Sequence, residues 1–462
     1  MSLFDAVADL QSHKATFTDN GMPTHTTSLS NCLDFFYRIG SFRNSDSSEK
    51  IQAFDLALAE NPSLAFKILF WARDIRGGAG ERNTFRELLV HTANSTNSTY
   101  VEALSKNYDK VVLNGRWDDL FVLIKTPLKN SVVKYISSNL DNGLLCKWMP
   151  RKGDVFNLVR AYLKLTPKEL RKRLVANTKV VETNLCNKDY TFDYAHVPSV
   201  ASRRYSKAFL RNDKARYSAY LSSVMAGEAK MNASAIFPYD IIRGIDSNPN
   251  QAIAQWNSLP NYMEGVDRRF LPICDVSGSM YGLPLEVCVS LGLYISERNE
   301  GVFKDQIITF SKSPKMVKLK GNLVNRVHQL KSSDWGMNTN FEAVFDLLLT
   351  AAKKHKVPES QMPTDLLVLS DMQFDVADSH FDKSAVELVQ QKYEDAGYEM
   401  PTLVFWNLKG SGKGVPARKN SEKIALVSGF SPSLMISLIS GSDFTPTGVM
   451  LRTVDKEKYT IL

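Results

Sequence analysis

Asp275, Ser277 and Ser279 close the apolar run Phe270-Leu271-Pro272-Ile273-Cys274, and a helical pattern continues from Leu285 to Glu297. An apolar strand ending in a carboxylate and two hydroxyls places its oxygens at the carboxyl end of a parallel sheet, where open α/β sheets hold ligands. Two later stretches bring more oxygen to the same edge. Gly336-Met337-Asn338-Thr339-Asn340 opens a periodic helix from Phe341 to Lys354, and a second buried-strand pattern, Thr364 to Ser370, ends in Asp371. Hard oxygen donors suit magnesium or manganese. Such a set roughly neutralises a divalent cation and leaves positions for water or for a partner's acidic oxygen. The plainer alternative is that Asp275 and Ser279 cap the following helix while Asp371 ends its strand.

With these three loops in order, the second half of the chain resembles the von Willebrand factor A family. That family's metal-ion-dependent adhesion site uses Asp-x-Ser-x-Ser, a distant Thr and a later Asp. The resemblance implies a doubly wound, Rossmann-like α/β domain binding Mg2+, or Mn2+, through Asp275, Ser277, Ser279, Thr339 and Asp371.

The elements that must position these residues belong to a chain of 462 residues, long enough for about two or three domains. Hydrophobic content of 44% and charged content of 23% are those of an ordinary soluble protein. No apolar stretch approaches the roughly 20 residues of a membrane span, and the acidic amino terminus lacks the basic start of a signal peptide, so the expectation is a cytoplasmic protein. The five cysteines, Cys32, Cys146, Cys186, Cys274 and Cys288, are scattered without a Cys-x-x-Cys pair, which argues against a disulfide scaffold and a zinc site.

The net charge of +8 is uneven. From Asp141 to Tyr220 there are 17 Lys or Arg against 7 Asp or Glu, a surplus of +10 that leaves −2 for the remainder. A surplus confined to one stretch suggests an anionic partner, and a solvated helical surface is the bland alternative. Within it lie Lys147-Trp148-Met149-Pro150-Arg151-Lys152, Arg171-Lys172-Arg173 and Arg203-Arg204-Tyr205 with Lys207, Phe209 and Arg211. Phosphates take the cations, and unstacked bases can lie on aromatic or guanidinium planes. Aromatics at this spacing are more often the core face of an amphipathic helix, which leaves the cations on the opposite face available.

In chain order, residues 1–28 read as an arm or loop, and helical patterns run from Leu29 for some two hundred residues. Asn61-Pro62 and Thr166-Pro167-Lys168-Glu169 mark helix starts by cap, proline and, in the second, a capping-box Glu. Between two helices, Arg76, Gly77, Gly78 and Arg82 form either a phosphate-binding nest of open amides or a tight turn with paired arginines. After a linker at 246–268 the alternation is α/β: a strand at Val302 to Phe310, helices at Asn322 to Lys331 and Ser384 to Ala396, and strands at Thr402 to Trp406 and Ile424 to Val427. Lys409-Gly410-Ser411-Gly412-Lys413-Gly414 is a flexible basic loop resembling a phosphate loop only superficially.

Taken whole, the chain resembles the Ro autoantigen group of TROVE-module RNA-binding proteins, and in detail an uncharacterised relative in plants and large DNA viruses. The residues that carry the closer likeness are Thr18-Asp19-Asn20-Gly21, Arg73-Asp74-Ile75-Arg76-Gly77-Gly78, Lys147-Trp148-Met149-Pro150, Val197-Pro198-Ser199, Asp275 to Met280 and Ser370-Asp371-Met372. The Ro likeness implies a HEAT-repeat helical ring that binds single-stranded RNA ends and structured small RNA.

The expected architecture is therefore α plus α/β: an arm at 1–28, an all-α HEAT-like domain at 29–245, the linker, and a von Willebrand factor A-like domain at 269–462. The expected function is non-enzymatic. The helical domain would bind single-stranded or misfolded RNA through Lys147, Arg151, Lys152, Arg171, Lys172, Arg173, Arg203, Arg204, Lys207 and Arg211. The alternative is a metal-dependent adaptor, or a structural protein of a particle, whose partner supplies an acidic residue to the ion. No Ser/His/Asp or Cys/His arrangement argues for catalysis.

Overall fold

The computed structural model describes residues 15–43, 45–233, 235–310, 314–332, 340–375, 384–409, 414–440 and 443–462. Contacts divide the chain into two units. One holds residues 46–236, 254–259 and 455–462; the other holds residues 1–45, 237–253 and 260–454.

The second unit is built on a mixed sheet. Its strands are β3 (Phe270–Asp275), β4 (Gln306–Phe310), β5 (Lys315–Lys318), β6 (Asp365–Ser370), β7 (Thr402–Asn407) and β8 (Ile424–Ser428), in the order β5-β4-β3-β6-β7-β8. All neighbours run parallel except β5, which closes one edge antiparallel to β4. Every residue of β3, β6, β7 and β8 is buried, which is why these segments read as unbroken apolar runs instead of alternating ones. The edge strand β5 is largely exposed and carries lysines at both ends, a composition that discourages further strand pairing.

Helices Leu283–Arg298, Phe341–His355 and Ala385–Ala396 flank the sheet. The first lies close on β3 because Gly292 has no side chain: a Cβ there would stand 2.4 Å from Cys274 Sγ. Helix Pro446–Val454 covers β8, as does Asn31–Arg38 from the other end of the chain.

The amino-terminal segment departs from expectation. Residues 1–14 lie outside the described part, but from Ala15 onward the chain is not an arm. Ala15–Phe17 (β1) and Pro23–His25 (β2) form an antiparallel hairpin, and residues 15–45 belong with the sheet, not with the helices that follow. The physical reason is a set of long-range hydrogen bonds, among them Thr24 Oγ1 to Val415 O at 2.9 Å and the Gly40 amide to Ser428 Oγ at 2.7 Å. The expected boundaries at 28/29 and 245/246 accordingly differ from the observed division, in which 237–253 also joins the sheet unit.

The helical unit begins with Ser47–Glu60, Pro62–Arg73 and Arg82–Ala93, which pack on one another. Its local signals behave as read. The Asn61 side chain accepts from the Leu64 amide at 3.0 Å, and Thr166 and Glu169 close a reciprocal capping box on Pro167–Asn177. A buried network ties the early helices together: Asp119 accepts from Arg73 Nε at 2.8 Å and from Arg86 Nε at 2.7 Å, with its side chain fully buried. Further along, Tyr194, Phe209, Tyr217 and Leu221 form an apolar cluster beneath helix Ser199–Asn212. Among the described residues no helix is long and apolar enough to cross a membrane.

Candidate functional site

β3 is the strand at which the sheet order reverses: β4 lies on one side of it and β6 on the other. Crevices at such points, beyond the carboxyl ends of the strands, are where open α/β sheets hold ligands. Because β3 and β6 are parallel neighbours, with Cys274 opposite Leu369, the loops that start at Asp275 and Asp371 emerge side by side.

Asp275 is fully buried. Its Oδ1 accepts from the Ser277 amide at 2.9 Å, and its Oδ2 accepts from Ser370 Oγ at 2.6 Å. Ser370 Oγ in turn accepts from the Met372 amide at 3.0 Å, so one hydroxyl ties the two loops together. Ser277 Oγ and Ser279 Oγ lie 3.0 Å apart. Asp371 is also buried; its Oδ1 accepts from the Gln373 amide at 3.2 Å, and its Oδ2 makes no hydrogen bond. Burial, and then the neighbouring Asp371 charge, push the Asp275 carboxyl up to about 6.

Two buried carboxylates, one with an orphaned oxygen, form a site short of positive charge. The cation at hand is Lys409, whose Nζ stands 3.9 Å from Asp371 Oδ2 and donates to the Ser279 carbonyl. A divalent ion fits this donor set, since its oxygens are hard and its charge would relieve the repulsion. The nearby thiols do not alter that: Cys288 is buried, and its thiol reaches the Leu369 carbonyl at 3.4 Å. Thr339 lies outside the described residues; its neighbour Asn340 caps helix Phe341–His355 by accepting from the Ala343 amide at 2.9 Å. Among the described residues no group of three or more His, Cys, Asp or Glu is gathered, so any ion here must draw on hydroxyls as well.

The loop after Asp371 is held from a distance. Thr18 Oγ1 donates to Phe374 O at 2.7 Å, and the Asp19 amide and Asn20 Nδ2 bond Gln373 at 2.6 and 2.8 Å. The Thr18-Asp19-Asn20-Gly21 turn is thus a clamp on the Asp371 loop. Ser370, Lys409 and this clamp were not among the expected site residues. For Ser370 alone a signal existed, a hydroxyl one residue before the carboxylate.

In the helical unit the expected cations have several fates. Lys147 pairs with Glu182 at 2.7 Å. Arg151, half-buried, donates from Nη1 to the carbonyls of Cys146 and Met149. Arg171 lies over the Phe156 ring, and Arg173 reaches Asp141 at 3.4 Å. Lys152, Lys172, Arg204, Lys207 and Arg211 are exposed, while Arg203 is half-buried. Phe209 is fully buried, so the aromatic of that stretch serves the core and the exposed cations face away from it.

The open-amide nest at Arg76, Gly77, Gly78 and Arg82 is corrected by the structure. The amides of Gly78 and Gly80 donate to Asp74 O, those of Ala79 and Glu81 to Trp71 O and Ala72 O, and that of Arg76 to Asp74 Oδ1. The segment is a tight turn in which these five amides are spent on its own carbonyls and on the Asp74 side chain. Gly78 is required there, because a Cβ would meet Trp71 O at 1.9 Å. Arg76 nevertheless lines a cavity together with Lys147 and Arg204, gathering three of the expected residues in one place.

Comparison with known proteins agrees with the two-part chain. A model described as a domain of unknown function (DUF2828) matches residues 18–138 and 126–267, together more than half of the chain. A second, described as a domain of unknown function (DUF7788), matches residues 270–459. An uncharacterized protein, L728, of Acanthamoeba polyphaga mimivirus is 29% identical, over 95% of this chain and 87% of its own length. Among solved structures, that of the RO (RSR) protein of Deinococcus radiodurans aligns over 92% of this chain and 87% of its own, at 14% identity and a TM-score of 0.36. That superposition is too loose to carry detail from one chain to the other.

Proposed function

The chain belongs to the family described as a domain of unknown function (DUF2828), and we propose that it is a non-enzymatic RNA-binding component of a ribonucleoprotein. In this reading a HEAT-like helical unit holds single-stranded RNA, and a von Willebrand factor A-like unit holds a divalent cation.

The observation that carries the RNA reading is the helix Ser199–Asn212. Its apolar face, with Phe209, is spent on the Tyr194 and Tyr217 cluster, which leaves Arg204, Lys207 and Arg211 exposed on a unit that contains the +10 surplus. Phosphate contacts dominate nucleic-acid affinity, and arginine and lysine held outward by a buried aromatic face are suited to them. The ion would be held by Asp275, Ser277, Ser279 and Asp371, with Thr339, and magnesium suits their hard oxygens. It would supply a Lewis-acidic point for an anionic oxygen of a partner.

The test is binding of the full chain to a labelled single-stranded RNA across a salt series, beside the Lys207→Gln/Arg211→Gln variant. A steep loss of affinity with salt is expected, with a shallower slope in the variant, by roughly 0.7 per contact removed. Flat or absent binding at low salt would overturn the RNA reading. It would favour metal-mediated contact with an acidic protein partner, for which the orphaned Asp371 Oδ2 beside Asp275 is the supporting observation.

A further inference from the structure

The helical unit contains a cavity of about 980 Å3 whose walls combine apolar surface with an excess of positive charge. Its volume lies at the upper end of the roughly 300–1,000 Å3 typical of small-ligand sites. Leu144 and Val200 line it and are 58% and 38% exposed, so part of its apolar wall faces solvent instead of a neighbouring side chain. Five cations line it, Arg76, Arg116, Lys147, Lys179 and Arg204, against the carboxylates of Glu182 and Asp193.

The cations divide by role. Lys147 is answered by Glu182 at 2.7 Å, and Arg116 reaches Asp118 at 2.9 Å. Burial works against the Glu182 carboxylate, but Lys147 and Tyr205 more than offset it, so it remains charged and Lys147 remains tied. Among the described residues Arg76, Lys179 and Arg204 have no carboxylate within ion-pair distance, and all three are exposed. Behind Arg116 stand further arginines. Arg73 and Arg86 are held by Asp119, and Arg86 and Arg116 share Asp118, so these arginines are answered within the unit and the exposed charge of the wall is that of Arg76, Lys179 and Arg204.

Planar surface is present as well. The Arg116 guanidinium lies 4.0 Å from the Trp148 ring centroid, and Lys147 Nζ lies 5.6 Å from it. Trp117 and Phe192 are further aromatic members of the wall. A ligand matching all of this needs a flat, largely apolar body joined to an anionic phosphate group. An acyl chain would leave the stacked planes unused, and an inorganic anion would leave the apolar wall unused.

We propose that this cavity binds a nucleoside phosphate, with the base against the Trp148 and Arg116 side and the phosphate on Arg76, Lys179 and Arg204. The group can arrive as a free nucleotide or as an unpaired nucleotide of single-stranded RNA; the second source rests on the RNA reading above. Base stacking on such surfaces is tolerant of sequence, so the cavity selects for unpaired nucleotides instead of for one base.

The experiment uses the full chain, titrated separately with AMP and with a short single-stranded oligoadenylate, and follows tryptophan fluorescence and oligonucleotide anisotropy. Three proteins are compared: wild type, Arg76→Gln/Lys179→Gln, and Trp148→Phe. Both cations of the double variant are exposed and free of carboxylate contacts, so the fold is retained, and circular dichroism checks this. Expected is quenching of wild-type fluorescence on ligand addition and at least a tenfold weaker Kd in the double variant. In Trp148→Phe most of the quench is lost while binding persists, which locates the ligand at that ring.

If the oligonucleotide binds wild type but neither variant changes Kd or quench, the cavity assignment is overturned and the RNA reading stands. AMP binding through these residues without oligonucleotide binding supports the cavity and overturns the RNA reading. Binding of neither overturns both.

Discussion

Changing Asp275 to Asn separates the contribution of the buried charge from that of an ion. In the folded chain the Asp275 carboxyl loses its proton near pH 6, against 3.8 ordinarily. A folded-state pKa raised in this way favours folding fully below about pH 4, and that contribution is lost as pH rises through about 6. Near pH 7.5, without divalent ions, the charged wild type therefore stands about 3 kcal/mol below the same fold with a neutral group. The amide keeps the bond from the Ser277 amide but disturbs the 2.6 Å bond from Ser370, a loss of about 1 kcal/mol. The net expectation is a variant more stable by about 2 kcal/mol in EDTA, or about 4–8 °C in the unfolding of this unit. Magnesium should reverse the order. An ion bound only by the folded wild type adds about 2.7 kcal/mol at a hundredfold excess over its Kd, and the variant gains little. The assay is thermal unfolding by circular dichroism with EDTA and with magnesium, near pH 7.5 and near pH 5, where the difference in EDTA should shrink. A variant less stable than wild type in EDTA, or a wild type indifferent to magnesium, would refute the reasoning.

Lys409 should compete with the ion, since its Nζ stands 3.9 Å from Asp371 Oδ2. Its partial exposure screens the effect, so Lys409→Gln is expected to tighten magnesium binding by about tenfold, roughly 1.4 kcal/mol by calorimetry; unchanged or weaker binding would count against it. In the helical unit, Asp119→Asn leaves the buried Arg73 guanidinium without its 2.8 Å partner. Denaturant unfolding should show a loss of about 3–5 kcal/mol, and a loss below about 1 kcal/mol would mean that the network is not what holds these helices together.

What could be read from the chain alone is what depends on near neighbours. The Thr166-Pro167-Lys168-Glu169 start announces itself because a capping box closes within one turn. The apolar runs of β3 and β6 announce buried parallel strands, and with them Asp275 and Asp371 at one sheet edge. The same logic fails for the amino terminus. Thr18-Asp19-Asn20-Gly21 carries no periodicity, and its purpose depends on Gln373 and Phe374, more than 350 positions away. Nor does the Arg73 to Arg82 turn reveal by composition whether its amides stay open. Only the carbonyls of Trp71, Ala72 and Asp74, brought into range by the bend, decide it.

The sequence by itself determined the alternation of elements, the carboxylate-ended strands and the basic surplus, because helix caps, burial period and charge are properties of short stretches. Only the tertiary structure decided that the amino-terminal hairpin belongs to the sheet, that Lys409 stands beside Asp371, and that Arg76, Arg116, Lys147, Trp148 and Arg204 line one cavity. These pairings join side chains from separate helices and loops. Their partners are set by how whole elements pack, and no local preference of the backbone records them.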